Sequence, residues 1–389
     1  MFASRLRHGP GRNRLAQALD RRRSSGLPVI DLTESNPTRA GFSYPGELLS
    51  PLAQPRALRY DPSPLGLLDA RRAVSNDFRR RGAAVPPERI VLTASTSEAY
   101  SLLFKLLCGA GDTVLAPRPS YPLLEHLTDL DNVALDAYSL EFHGRWSLDM
   151  DAIARTVVAK QARAIIVVSP HNPTGSVLTR AEQEQLAALA SQHDAALIAD
   201  EVFADYPLGN QTVTCVLSES DALTFRLGGL SKTVGLPQVK LGWIAVSGAN
   251  SVVSDALERL ETICDAYLSV STPVQLAAAD LLAAGAAVRT EIQERVRRNY
   301  RTLGETMAAH PACSVLPAEA GWYAVVQIPA IKPEETLVVE LLERAGLLVH
   351  PGYFFDFERE AFLVLSLLPE PAMFSSATSR LFTEIERLS

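Results

Sequence analysis

Cysteine is scarce in this sequence. The four cysteines, Cys108, Cys215, Cys264 and Cys313, are scattered along 389 residues and form no CxxC pair. That spacing excludes a disulfide framework and a cysteine-ligated zinc cluster, and leaves a reducing cytoplasm as the default compartment. The seven histidines show no metal-ligand spacing. No apolar run approaches the ~20 residues of a membrane span, so no membrane is expected as a partner. Positive charge is not in excess: 37 Lys and Arg stand against 44 Asp and Glu, a net charge of −7. Nucleic acid is therefore not an expected partner. The opening stretch, MFASRLRHGPGRNRLAQALDRRRSSG, is arginine-rich but has no continuous apolar segment of the secretory kind. It reads as a basic amphipathic helix near NRLAQALDRRR, with a transit peptide as the alternative. GNQT, at 209–212, matches a glycosylation sequon that means nothing without a secretory signal.

One absence is local. No acid lies within seven residues of Lys232 in the stretch around GGLSKTVGLPQVKLGW. A surface lysine usually keeps polar or charged company; this one has two glycines before it and an apolar run after it.

What is present is the material of a folded core. Hydrophobic residues make up 47% of the chain and charged residues 21%, and the length suits two domains or one large domain with an appendage. From about 88 to 247 short apolar runs alternate with helical patterns. RIVLTA, DTVLAP, RAIIVVS, AALIAD, ALTFRL and GWIAVS are strand candidates of the kind covered on both faces. SEAYSLLFKLL has amphipathic helical spacing, and TRAEQEQLAALASQHD opens with a Thr179–Glu182 capping box. Strands interleaved with helices predict a mostly parallel sheet. Beyond residue 250 long helical stretches dominate, with strands at GWYAVVQI and FLVLSLL and a helix at ETLVVELLERAG. That is a smaller α+β unit, with which residues 1 to about 45 are expected to pack.

In open parallel sheets ligands bind beyond the carboxyl ends of the strands. Several features fall there, each with a bland reading beside a functional one. In TASTSEAY, Ser95 and Glu98 are spaced to cap a helix; alternatively Ser95, Thr96 and the free N–H groups hold a phosphate. SPHNPTG is a turn after an apolar strand, yet Asn172 is an uncharged donor suited to a ligand oxygen. In LIADEVF, Asp200 ends an apolar strand and needs a cation, from an Arg or Lys or from a protonated ligand nitrogen. Lys232, in apolar surroundings, has its charged form disfavoured, which frees the amine as a nucleophile for an aldehyde. Lys240, eight residues on, can counter a phosphate charge. Tyr121, in PRPSYP, would by itself be taken as core. GLSKT is not a nucleophile elbow, and GGLSKT is not a complete Walker loop. A phosphate cradle, a donor, a carboxylate for a ring nitrogen and a nucleophilic lysine together describe pyridoxal phosphate.

The order NPTG, then DEVF, then SK with a basic residue eight positions on resembles the class I/II aminotransferases of fold type I. The intervals are 28 residues (172 to 200) and 32 residues (200 to 232), and the likeness runs from IDLTESNP to FLVLSLL. The resemblance implies an α/β fold. A large domain at 46–280 would hold a mostly parallel seven-stranded sheet between helices, and a small α+β domain would comprise 1–45 and 281–389. It implies that Lys232 carries the cofactor as a Schiff base and moves the proton, that Asp200 pairs with the ring nitrogen, and that Asn172 bonds the phenolic oxygen. Tyr121 would stack on the ring; Ser95, Thr96, Ser231 and Lys240 would hold the phosphate. Tyr60 would reach the phosphate from the other subunit of a homodimer.

Several positions depart from the family pattern. Phe203 stands where a tyrosine is usual, so one donor to the phenolic oxygen is missing unless Tyr206 substitutes; the pKa of the cofactor Schiff base is then expected to rise. Lys240 replaces an arginine and loses its bidentate geometry. Gly229 stands where a serine is common. In AFLVLSLLPEP, Val364 occupies the place of the arginine that grips the substrate's α-carboxylate. Asn36 and Arg39, in ESNPTRAGF, border the substrate pocket; Arg39 is either the replacement cation or a solvated loop residue. The expected activity is amino-group exchange between an amino acid and a 2-oxo acid. The missing arginine keeps a β-lyase, decarboxylase, racemase or amine transaminase in view. A non-catalytic binding module is the third reading, against an intact Lys232.

Overall fold

A computed structural model of the chain describes residues 3, 5, 11–210, 213, 217 and 220–388. Cys215, and Gln211 and Thr212 of the GNQT sequence, lie outside the described residues. The main sheet has eight strands in the order Ile90–Thr93, Gly242–Ser247, Thr224–Gly229, Ala196–Asp200, Ala164–Val168, Thr113–Arg118, Ala134–Phe142, Trp146–Leu148. Seven form the expected mostly parallel sheet, and the eighth, three residues long, is added antiparallel at the edge. Gly242–Ser247 runs antiparallel to both its neighbours, so Ile90–Thr93 points the same way as the rest.

The apolar runs behave as two-sided strands. Ala164, Ile166, Ala196 and Ile198 face one core, with the helix Thr96–Leu107 and the helix Asn250–Asp265. Ile165, Val167, Leu197 and Ala199 face the other, with the helices Met150–Lys160 and Arg180–Gln192. Alternate residues of one strand thus enter opposite cores, as a period of two requires. The Thr179–Glu182 capping box is present as expected. The strand Ala134–Phe142 is not among the sequence-derived candidates. It lies near the sheet edge and is mostly half-exposed, so it has no continuous apolar run to announce it.

A second, antiparallel sheet has the order Ser314–Val315, Tyr323–Gln327, Phe362–Ser366, His350–Pro351. It shares its core with the helices Ala286–Met307, Glu334–Ala345 and Pro371–Leu388. Ile30–Asp31 pairs in parallel with Leu347–Leu348, and the basic helix Arg14–Ser24 lies on Glu334–Ala345, where Arg21 meets Glu343 at 3.0 Å. The long helical stretch after residue 271 is three helices, Thr272–Leu276, Ala278–Ala284 and Ala286–Met307. The last begins beside Gly285, where a Cβ would stand 2.6 Å from that of Val234. Glycine there lets the helix approach the segment that carries Lys232.

Candidate active site

The features read from the sequence gather at one edge of the large sheet. Ser95 and Thr96 follow Ile90–Thr93, Tyr121 follows Thr113–Arg118, and Asn172 follows Ala164–Val168. Asp200 is the last residue of its strand and pairs in register with Val168 and Leu227 on either side. Lys232 lies in the short helical turn Leu230–Thr233, directly after the strand Thr224–Gly229. Asp200 and Lys232 therefore project from neighbouring strand ends.

Asp200 Oδ2 accepts a hydrogen bond from the Tyr100 hydroxyl at 3.0 Å, and Oδ1 accepts one from the Val202 N–H at 3.1 Å. Among the described residues it forms no ion pair with an Arg or Lys; its partners are neutral donors. Burial pushes its pKa up to about 6; the Val202 and Tyr100 bonds pull it back, and the neighbouring Glu201 charge adds to the rise. Burial lowers the Lys232 pKa to about 8, opposed by the charge of Asp200. The two groups act on one another electrostatically across a gap. Lys232 Nζ is bounded by aromatic faces, 4.7 Å from the Trp322 ring centre and 5.7 Å from that of Phe203. The question raised by the missing acids has a structural answer: among the described residues, the carboxylate that acts on this lysine comes from the next strand.

Ser95 caps the helix Thr96–Leu107, accepting from Glu98 N–H at 3.1 Å, while Glu98 accepts from Ala94 N–H at 2.6 Å. The capped-helix reading is realised, and the first-turn N–H groups remain directed out of the helix end. Gly242 makes room for this turn: a Cβ there would lie 3.0 Å from the Ser95 carbonyl carbon. Asn172 Oδ1 is buried with no hydrogen-bond partner. Ser231 is half-buried beside Lys232, Lys240 is exposed, and Tyr60 is 73% exposed. The Tyr206 hydroxyl donates to the backbone carbonyl of Lys232. It braces the lysine's main chain, and that leaves Phe203 without a stand-in.

The substrate side holds one surprise and several omissions. Val364 is fully buried and does not line the cleft. Arg39 exposes 72% of its side chain and sits 3.4 Å from Glu34. Asn36 Oδ1 accepts from Thr38 N–H at 3.0 Å, closing a turn. That loop is stitched to the strand of Val364 by the Ser366 hydroxyl, which donates to the Glu34 carbonyl at 2.6 Å. Sequence reasoning missed Tyr100, Trp322, Tyr323, His350 and Phe355. Tyr100 was within reach: four residues after Thr96, it lies one helical turn along the same face. The others are too distant in sequence for spacing to connect them with Lys232.

A family model described as "Aminotransferase class I and II" matches residues 51–373. The chain belongs to the class I and II aminotransferases. The glutamate-pyruvate aminotransferase AlaA of Escherichia coli (strain K12) is 27% identical over 342 residues, 85% of this chain and 84% of that protein. The alanine aminotransferase of Mycobacterium tuberculosis (strain ATCC 25618 / H37Rv) is 27% identical over 380 residues, 92% of this chain and 86% of its own length. In fold, the chain is similar to the alanine aminotransferase from Pyrococcus furiosus, with a TM-score of 0.87 at 22% identity, covering 96% of each chain. This aminotransferase therefore moves amino groups, and the lyase, decarboxylase, racemase and amine-transaminase readings are not favoured. Its family works with pyridoxal phosphate. The site fits that group: a buried carboxylate with no Arg or Lys ion pair among the described residues, the half-buried amide of Asn172, a capped helix end and an amine of lowered pKa lie on one strand edge.

Proposed function

We propose that Lys232, Asp200 and Asn172 hold pyridoxal phosphate and that the enzyme exchanges an amino group between an amino acid and a 2-oxo acid. The carrying observation is the pair of opposed shifts on adjacent strand ends: an acid raised to about 6 and an amine lowered to about 8. When bound, the cofactor supplies an aldehyde for the amine and a ring that accepts the electrons released at the substrate's Cα. Asp200 would accept a hydrogen bond from the cofactor's ring nitrogen, with Tyr100 and Val202 supporting its ionised carboxylate. Asn172 would donate its amide N–H to the phenolic oxygen, and Tyr121 would pack against the ring. Ser95, Thr96, Ser231 and Lys240 would take the phosphate, helped by the positive end of the helix Thr96–Leu107. Lys232 Nζ, partly neutral near pH 8, would be the amine available to the cofactor's aldehyde and the group placed to hold a proton near the substrate's Cα. Trp322 and Phe203 limit water around it.

In this reading the enzyme is a homodimer in which Tyr60 serves the neighbouring subunit's phosphate. Leu58 and Tyr60, 92% and 73% exposed, offer apolar surface for that association. Cys108, Cys264 and Cys313 are free thiols, in keeping with a reducing cytoplasm. Arg39 is the candidate for the substrate carboxylate, with Asn36 shaping its loop. The test is to load the apoprotein with pyridoxal phosphate, reduce it with borohydride and map the modified peptide. Lys232 is the expected site, and Lys232→Ala should abolish both labelling and amino transfer. Because about a tenth of an amine of pKa 8 is free at pH 7 and nine-tenths at pH 9, loading should accelerate about tenfold across that range and then level off. Label on another lysine defeats the assignment.

A further inference from the structure

The wall opposite Lys232 is built by the small sheet, and its register shows what covers it. In an antiparallel sheet, directly paired residues point to the same face. Tyr323 pairs with Ser366, and Val364, two residues earlier on that strand, pairs with His350. Tyr323, Val364 and His350 therefore share a face. That face looks toward the lysine, because the Tyr323 ring meets Phe203 edge-on at 6.3 Å and Phe203 lies beside Nζ. Phe355 packs on Tyr323 at 6.3 Å and on His350 at 5.6 Å. Those partners flank the strand Phe362–Ser366 on its two sides, so the Phe355 ring lies over Val364. Phe355 is 1% exposed and Val364 is fully covered. The Phe355 carbonyl is held by Ser120 N–H at 2.8 Å, and its ring meets Tyr121 at 6.4 Å and Phe354 at 5.4 Å. Tyr121 and Phe354, 45% and 40% exposed, carry the aromatic surface out to solvent.

Charge is absent from this wall or already matched. On the flanking loops Arg118 faces Asp356 at 2.6 Å, and Arg39, the candidate for the donor's α-carboxylate, lies off the wall beside Glu34 at 3.4 Å. His350 stacks on Phe354 at 5.0 Å, and burial lowers its pKa to about 4 against the pull of Asp31, leaving it neutral at pH 7. A carboxylate placed against these rings would lose water and gain no counter-charge. An apolar ring placed there would be buried and would find edge-to-face partners.

We propose that the aromatic surface of Phe354 and Tyr121, backed by the buried rings of Phe355 and Tyr323, selects amino donors with a large apolar side chain, aromatic ones above all. The proposal rests on the amino-transfer reading above and adds the class of donor. The donor's side chain lies on this wall and its carboxylate points away from it. The experiment uses the holoenzyme and four donors, L-phenylalanine, L-leucine, L-alanine and L-glutamate. For each, one measures the concentration that half-converts the cofactor's visible absorbance. Phenylalanine should half-convert at about a tenth of the concentration that alanine or glutamate needs, or less, with leucine between. Phe354→Ala should bring the phenylalanine-to-alanine ratio toward one. Glutamate or alanine equal to or ahead of phenylalanine overturns the inference and leaves amino transfer standing. An unchanged ratio in Phe354→Ala overturns the assignment to this wall. A holoenzyme that responds to none of the four overturns the proposed function and the inference with it.

Discussion

The floor and the wall of the cleft are made by opposite rules. The floor is polar, and its parts lie at or just beyond the ends of sheet strands: Ser95, Asn172, Asp200 and Lys232. Each is placed by a short apolar run that ends beside it, so the sheet alone brings them together. The wall is aromatic, and it is assembled from Tyr121 on one loop and from Trp322, Tyr323, His350, Phe354 and Phe355 of the small sheet and its connections. Nothing in the local sequence tells those rings where they will meet. The difference teaches that the polar groups at the strand ends and most of the aromatic cluster come from separate packing units. One can be altered with limited effect on the other.

The largest break in the comparison should come from the floor. Asp200→Ala removes the carboxylate that acts on Lys232, and kcat for amino transfer should fall by about 10²-fold or more at saturating cofactor. A variant that retains most of its kcat would remove Asp200 from the chemistry. Next is Tyr100→Phe. The Tyr100 hydroxyl supports the ionised form of Asp200, so its loss raises the acid's pKa above about 6. The carboxylate is then lost at a higher pH as acidity increases. Cofactor affinity should drop about tenfold at pH 6 and much less at pH 8, as expected for a hydrogen bond to a charged group. Equal losses at the two pH values would assign Tyr100 to packing alone.

Two smaller effects sharpen the boundary between floor and wall. Phe203→Tyr puts a donor beside Lys232, and the midpoint of the visible-absorbance titration should move down by about one pH unit. A stationary midpoint would place residue 203 wholly on the wall side, where it already packs against Trp322 at 5.3 Å. Arg39→Ala should have the least effect, a rise in KM for the donor of about two- to fivefold, because its guanidinium is largely exposed and shares Glu34. KM values that do not move would make Arg39 an ordinary loop residue.

Much of the fold was legible because its signals are local. GWIAVS, AALIAD and RAIIVVS are strands since a sheet covered on both faces demands unbroken apolar runs whichever way a strand points. Thr179 and Glu182 mark a helix start since both groups bond within one turn. Ala134–Phe142 escaped because a half-exposed strand near the sheet edge carries Asp136 and Glu141 at no apolar cost. The break at Gly285 escaped because it answers to Val234, fifty-one positions earlier (285 − 234). Tyr206 is the instructive residue. The sequence admits it as a substitute donor, whereas the fold spends its hydroxyl on the Lys232 carbonyl.

The sequence by itself determined the strand-and-helix order, the placement of an acid and an amine at strand ends, and the absence of an arginine at 364. Those follow from hydrophobic periodicity and residue chemistry, which act over a few positions. Only the tertiary structure decided that Tyr100 supports Asp200 and that Phe355 covers Val364. Both depend on side chains more than one helical turn or strand apart, held together by close packing that no local pattern encodes.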